Sequence, residues 1–155
     1  MADVIEKPRI EHNVEILGML NTADMDRLVE VWTLGFPGSD PELLRSHTPE
    51  IVADPTSGLA VARNPLGYIA SVIVVNINPG RDKRRGTIDD VATHPDSFRQ
   101  GYAGAVLDFC IDWFRDRDVT SVSLTSSDAR LPAHGLYYSR GFQVHDTNLF
   151  KLDLA

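Results

Sequence analysis

The chain has 155 residues, of which 43% are hydrophobic and 24% charged, as in one ordinary globular domain. Its net charge of −7 argues against a nucleic-acid partner, which requires clustered Lys and Arg, and favours a cationic one. The single cysteine, Cys110, excludes an intramolecular disulfide, and no apolar run has the length of a signal peptide or a membrane span. We therefore expect one cytoplasmic domain over residues 1–155, with no membrane partner.

Two helix starts in the N-terminal part are marked by polar caps. Asn21 precedes apolar residues at helical spacing, and Asp40 precedes a proline at the first helical position. Apolar runs bounded by turn residues then predict strands. The predicted elements are a strand Val14–Leu20, a helix after Asn21, a helix Pro41–Val52, and strands Leu59–Arg63, Tyr68–Ile77 and Thr87–Thr93.

The C-terminal part begins with a strongly amphipathic segment and ends with a predicted hairpin. The elements are a helix Gln100–Arg115, a strand Val119–Thr125, a helix Ala129–Arg140 ended by Gly141, and strands Phe142–His145 and Leu149–Leu154. Tight turns make consecutive strands antiparallel, whereas a helical crossover makes a pair parallel. The order βααβββαβαββ therefore predicts an α/β (mixed α+β) fold, with a central mixed sheet and helices on both faces.

Four basic residues interrupt the acidic composition, directly after a Pro-Gly pair. They are Arg81, Lys83, Arg84 and Arg85. A solvated hairpin tip is the favoured interpretation, because loops expose charge. Contact with a phosphate-bearing ligand is the alternative.

The most informative segment joins the strand ending at Thr93 to the next helix. Small residues at Gly101, Ala103 and Gly104 remove side-chain bulk where the first helical N–H groups point outward. Such a helix start favours a phosphate or pyrophosphate, although close packing alone would also explain it. The nucleoside-triphosphate loop and the three-glycine dinucleotide fingerprint are both absent.

Two motifs in order resemble one family. Pro95–Ala103, followed by Val106 and Leu107, resembles the pyrophosphate-binding motif of the GNAT superfamily of acyl-CoA N-acyltransferases, and Ala133–Phe142 is similar to that family's Ala-x-x-hydrophobic-Tyr-x-x-x-Gly-Phe segment. The first motif departs at Phe98, where Gln or Arg is usual. The resemblance implies the family's fold and acyl transfer.

The resemblance further implies that acetyl-CoA is the co-substrate. Val91, Ala92 and Thr93 would pair with its pantetheine arm, and one of their amides would polarise the thioester carbonyl; pairing with the next strand is the alternative. For Arg130 and His134, a position on the surface is the alternative to a cofactor contact. The implied cofactor-binding residues beyond the strand are Arg99, Gln100, Gly101, Tyr102, Ala103, Gly104, Arg130 and His134.

Two residues carry the implied catalytic roles. Tyr137 falls on the general-acid position, since a phenol with a pKa of ~10 can protonate a departing thiolate; core packing is the alternative. Asp89 aligns with a carboxylate that would act through a water, and strand alternation puts it on one face with Val91 and Thr93. Asp90 or a water alone stays open as the general base, as does the alternative that Asp89 and Asp90 are both merely solvated acids.

Taken together, the sequence predicts an enzyme that acetylates a primary amine of a small molecule. A non-catalytic acyl-CoA-binding regulatory module and an acetyltransferase acting on a protein amine are the alternatives. The five histidines show no metal-ligand spacing, so we expect no metal. Cys110 lies in an apolar helical stripe and is expected to be a buried hydrophobe. The oligomeric state stays open, with a homodimer as one option.

Overall fold

A computed structural model describes residues 12–127 and 129–155, and the chain divides into two compact units, Met1–Thr125 and Ser126–Ala155. Among the described residues, no helix is long and apolar enough to cross a membrane. The first unit contains β1 (Val14–Ile16), α1 (Thr22–Gly35), α2 (Pro41–Ala53), β2 (Ser57–Arg63), β3 (Ile69–Pro79), β4 (Arg84–Thr93), a 3-10 turn (Pro95–Ser97), α3 (Tyr102–Arg115) and β5 (Val119–Ser123). The second contains α4 (Leu131–Ser139).

Both predicted helix caps are confirmed. The Asn21 side chain accepts a hydrogen bond of 2.8 Å from the Asp24 amide, and Asp40 accepts one of 2.9 Å from the Glu42 amide. Each bond satisfies an amide that has no partner inside its own helix. These caps fix where α1 and α2 begin.

The five strands form one mixed sheet in the order β1-β2-β3-β4-β5. The first four pair antiparallel, as expected for β2, β3 and β4, which short turns join, and α1 and α2 lie between β1 and β2. The β4 and β5 strands pair parallel, because α3 returns the chain to the same end of the sheet. The predicted mixed α/β fold is therefore confirmed.

Helices cover both faces of this sheet. On one face, Leu28, Val31 and Trp32 of α1 share a buried cluster with Val72 and Val74 of β3. On the other face, α3 comes so close to β4 that a Cβ added at Gly86 would lie 2.5 Å from the Phe114 ring. Glycine at this position therefore permits the close approach of helix and strand.

The second unit confirms one prediction and corrects another. Gly141, at a φ of +91°, follows α4 as the left-handed residue that ends a helix. The predicted strands Phe142–His145 and Leu149–Leu154 are wrong, because neither segment forms a strand. Their apolar side chains are largely exposed, with Val144 at 81% and Phe150 at 91%. Alternating apolar residues form a stable hairpin only where another strand or element covers one face.

Candidate active site

The edge of β4 that faces β5 has no β5 partner over half its length. Pairing of β4 with β5 ends at Thr87 opposite Ser123, whereas pairing with β3 continues to Thr93 opposite Ser71. The backbone from residue 88 to residue 93 therefore runs beyond β5. An extended chain or ligand can add to such an edge as a further strand does. Val91, Ala92 and Thr93 all lie on this segment.

A β-bulge interrupts the same segment. Ala92 is paired with Val72 and Asp89 with Val74, so that Asp90 and Val91 together face Ile73. Asp90 adopts a left-handed φ of +52°. A bulge of this kind re-aims side chains and leaves backbone groups outside the regular ladder.

The bulge overturns the predicted parity of Asp89. Because paired residues share a face, Asp89 lies on the same face as Val74 and Ala92 rather than with Thr93. This is the face covered by α1, whose Gly35 lies so near that an added Cβ would be 3.2 Å from the Ala92 Cβ. The carboxylate of Asp89 is thus on the α1 side of the sheet.

The two adjacent carboxylates differ in their surroundings. Asp89 Oδ2 accepts a hydrogen bond of 3.0 Å from the side-chain Nδ2 of Asn76. The pKa of the Asp90 carboxyl is raised by partial desolvation and, to a smaller extent, by the negative charge of Asp89. Both side chains are solvent-exposed, so this part of the site presents negative charge to a ligand.

Helix α1 holds the bulge through Trp32. The indole N–H of this buried side chain donates a hydrogen bond of 2.9 Å to the Asp90 carbonyl oxygen. The sequence marks Trp32 only as one apolar residue of a helical stripe. Its bond to a residue so distant in the chain carries no local sequence signal.

The turn after β4 is also tied to α1. Arg27 donates hydrogen bonds of 3.0 and 2.9 Å to the two carboxylate oxygens of Asp96, and His94 Nε2 lies 3.0 Å from Glu30 Oε1. Burial opposes the charge of Asp96, but hydrogen bonds from Ser97 and Arg27 lower its pKa overall. These contacts fix the path of the chain into α3. Sequence reasoning missed all four side chains, since each contact spans distant segments.

The start of α3 has the features of an anion site. Its N-cap, Gly101, has a φ of +82° and makes no side-chain capping bond, and the first turn holds no acidic residue. Arg99 is also left-handed, at a φ of +60°, and the Gln100 side chain donates a hydrogen bond of 3.3 Å to the Asp96 carbonyl. The exposed Phe98 occupies the position where the family motif carries Gln or Arg. Backbone amides and the helix dipole can bind a phosphate here.

Two small residues and two rings complete this helix start. Ala103 and the buried Gly104 keep its first turn free of bulky side chains. Tyr102 is buried, and its ring centroid lies 4.4 Å from that of His12. His12, which the sequence did not single out, therefore lies beside the candidate anion site.

The second unit holds the other three candidate residues. Tyr137 is 8% exposed, with its ring 5.9 Å from that of Phe142 in an edge-to-face contact. Burial raises the pKa of its phenol, although the charge of Arg130 opposes the shift. His134 Nε2 donates a hydrogen bond of 2.9 Å to the Ser127 carbonyl oxygen. A raised pKa keeps the Tyr137 proton in place at neutral pH, as a general acid requires.

Two further expectations concern residues outside this site. Cys110 is fully buried, as predicted, and burial raises the pKa of its thiol to about 12. The basic turn is an exposed hairpin tip, as favoured, with Arg84 donating to the Arg117 carbonyl oxygen at 2.8 Å. Arg84 lies outside the candidate site, because the strand advances roughly 23 Å from Arg84 to Val91, at ~3.3 Å per residue. Within the described parts of the chain, no group of three or more His, Cys, Asp or Glu residues is arranged to hold a metal ion.

Comparison with known sequences identifies the family. The sequence model of the acetyltransferase (GNAT) family matches residues 25–142. Among curated proteins, the UPF0157 protein YqkA of Bacillus subtilis is 36% identical over 61 residues, or 39% of this chain. The match covers only 17% of that relative's length.

Solved structures share the fold at low sequence identity. A transcriptional regulator from Bacillus halodurans is 21% identical with a TM-score of 0.81, over 92% of this chain and 100% of that one. Glucosamine-6-phosphate N-acetyltransferase from Arabidopsis thaliana is 19% identical with a TM-score of 0.72, over 90% and 98% of the two chains. A predicted acetyltransferase from Clostridium acetobutylicum, whose structure is with acetyl-CoA, is 20% identical with a TM-score of 0.71, over 93% and 97%. Because the family match spans most of the chain and the fold agrees with it, this protein belongs to the acetyltransferase (GNAT) family.

Proposed function

We propose that this protein transfers an acetyl group from acetyl-CoA to a primary amine of a small molecule, by direct attack in a ternary complex. The observation that carries the proposal is the part of β4 that runs beyond its pairing with β5, which the short turn at Pro95–Ser97 joins to the uncapped start of α3. The edge suits the extended pantetheine arm, and the helix start suits the pyrophosphate. An acetylated coenzyme that carries both groups on one chain fits both features at once.

Cofactor binding is assigned to the backbone of Val91, Ala92 and Thr93 and to the turn at the start of α3. The guanidinium of Arg99 and the amide of Gln100 add polar contacts that Phe98 cannot supply. Arg130 and His134 at the start of α4 add contacts on the cofactor side. Most of the phosphate affinity then comes from main-chain amides, which explains why the Phe98 departure is tolerated.

The chemical step forms one bond and breaks one. The amine nitrogen attacks the thioester carbonyl carbon, an amide of the bulge stabilises the negative charge that develops on the oxygen, and the carbon–sulfur bond breaks. Before the attack, a water held by Asp89 takes one proton from the ammonium form of the acceptor, and the nitrogen loses a second proton to solvent as the amide forms. Tyr137 gives its proton to the departing thiolate, which leaves as the free thiol of coenzyme A.

The acceptor class follows from charge. Asp89 and Asp90 are exposed at one point of β4, and the chain carries a net charge of −7. Both favour an acceptor that is cationic before it reacts. A small amine meets this requirement with the fewest contacts beyond the described site.

A panel of amines with acetyl-CoA tests the proposal. The panel holds a diamine, a polyamine, an amino sugar, an amino acid and a lysine-containing peptide, and both free thiol and the acetylated product are measured. We expect thiol release with a small amine, well above the rate of hydrolysis without acceptor. Acetylation of the peptide alone would favour the protein-amine alternative. Tight acetyl-CoA binding with no turnover on any member would favour a regulatory module.

A matched pair of variants separates the two carboxylates as general base. Asp89→Asn should lower kcat by ~100-fold, within the usual range for general-base catalysis, while Asp90→Asn should have a small effect. The reverse order would assign the role to Asp90, whose raised pKa would then place the acidic limb of the kcat profile at higher pH. Equal small effects would leave water as the base.

A further inference from the structure

The contact between Trp32 and the bulge of β4 has the geometry of a clamp on one peptide group. The Trp32 side chain is 4% exposed and packs in the cluster that contains Val72, Val74 and Ala92. Its indole N–H lies 2.9 Å from the Asp90 carbonyl oxygen. The buried indole N–H holds the orientation of this carbonyl, since leaving the buried donor unpaired costs free energy.

The clamped peptide is the one that departs most from regular strand geometry. Asp90 has a left-handed φ of +52°, which a residue other than glycine keeps only where its surroundings stabilise it. The regular pairing of β3 and β4 is interrupted here, because Asp90 and Val91 together face the single residue Ile73. Trp32 therefore adds a bond from α1 at the point where the strand pairing is irregular.

The direction of the Val91 amide follows from the planarity of the peptide bond. No peptide in the described chain is cis, so the carbonyl of Asp90 and the N–H of Val91 point in opposite directions. The carbonyl is directed at the indole of α1. The Val91 N–H is therefore directed away from α1.

We propose that Trp32 is a positioning residue, which aims the Val91 N–H at the thioester carbonyl oxygen by holding the Asp90–Val91 peptide. This inference rests on the proposed function. Trp32 itself touches neither the acyl group nor the acceptor. Because α1 also packs closely on Ala92 through Gly35, the indole cannot follow the peptide if it rotates.

The test removes the indole N–H while keeping a large ring. Trp32→Phe should lower kcat by ~10- to 100-fold, somewhat less than the loss of a complete oxyanion-hole donor, with little change in KM for acetyl-CoA. Trp113→Phe is the matched control, because Trp113 is the only other tryptophan and is also buried, on α3. The control should keep wild-type kcat.

A shape-conserving replacement guards against a folding defect. In the Trp113→Phe background, biosynthetic incorporation of benzothienylalanine replaces only Trp32 and exchanges its N–H for a sulfur of similar size. The kcat should fall as in Trp32→Phe while the melting temperature stays near that of the parent. Wild-type kcat with this analogue would overturn the proposal.

A spectroscopic readout needs binding but no turnover. The infrared stretch of a ¹³C-labelled thioester carbonyl should move to lower frequency when acetyl-CoA binds, since the Val91 N–H polarises it. This shift should shrink in the Trp32 analogue and persist in the Trp113→Phe parent. An equal shift in both proteins would overturn the role of Trp32. Failure to acetylate any amine would count against the proposed function alone, because this readout does not depend on the acceptor.

Discussion

Replacing Gly101 with valine should destabilise the protein and weaken its binding of acetyl-CoA together. Gly101 has a φ of +82°, and an added Cβ would lie 3.2 Å from His12 Nε2. The left-handed conformation costs a residue with a side chain ~1–2 kcal/mol, and a β-branched residue is a genuine outlier there. A loss of ~2 kcal/mol would lower the melting temperature by about 4–8 °C in a chain of this size.

The effect on affinity follows from how the strain is relieved. If the turn rotates to restore an allowed φ, the amides at the start of α3 no longer converge on a phosphate. One hydrogen bond to a charged group is worth ~1.5–3 kcal/mol, so the loss of one raises the Kd for acetyl-CoA by ~10- to 100-fold. Titration calorimetry with acetyl-CoA measures this change directly.

Gly67→Val is the matched control. Gly67 has a φ of +86°, and nothing lies within 4 Å of an added Cβ. This variant should lose a similar amount of stability and keep wild-type affinity for acetyl-CoA. If Gly101→Val keeps wild-type affinity for acetyl-CoA, the phosphates bind elsewhere. If both variants lose affinity for acetyl-CoA, the effect of the Gly101 substitution is not local.

Two further substitutions and one labelling experiment test other residues. Tyr137→Phe should lower kcat by ~100- to 10,000-fold with an unchanged KM for acetyl-CoA, whereas Tyr138→Phe should leave kcat unchanged. Wild-type kcat in Tyr137→Phe would mean that Tyr137 serves only core packing. Reversing the charges of Arg84 and Arg85 should leave kcat and KM nearly unchanged, because exposed charges contribute little to binding. A tenfold loss of affinity for acetyl-CoA at low salt would instead show that this turn binds the phosphates. Cys110 should resist alkylation in the native protein up to about pH 9, since a thiol with a pKa of about 12 stays protonated there, and rapid labelling would contradict its burial.

Local signals in the sequence predicted the helix starts and the strand pairing, but they could not predict the bulge. Ile88, Asp90 and Ala92 alternate as if they lay on one face of a regular strand. In the structure Ile88 is paired with Val75 and Ala92 with Val72, so the two buried residues lie on opposite faces. Two residues facing one is a property of the strand pair, and neither strand records it alone.

The C-terminal segment shows the opposite case, in which the sequence predicts strands that the structure does not contain. Its alternation from Phe142 to Leu154 satisfies the strand pattern, yet its apolar residues are exposed, with Leu149 at 78%. Alternation predicts which side chains could share a buried face, but a strand also needs a partner for its backbone. The Trp32 bond is similar in kind, because its acceptor belongs to a distant strand.

Melting temperature with excess ligand tests the central claim, that acetyl-CoA is bound through its phosphates at the start of α3. At a hundredfold excess over Kd, a ligand that binds only the folded state adds ~2.7 kcal/mol, or roughly 5–10 °C for a chain of this size. We predict such a rise with acetyl-CoA and a much smaller one with S-acetylpantetheine, which has the same acyl arm and no phosphate. No rise with acetyl-CoA, or an equal rise with both, would contradict the account.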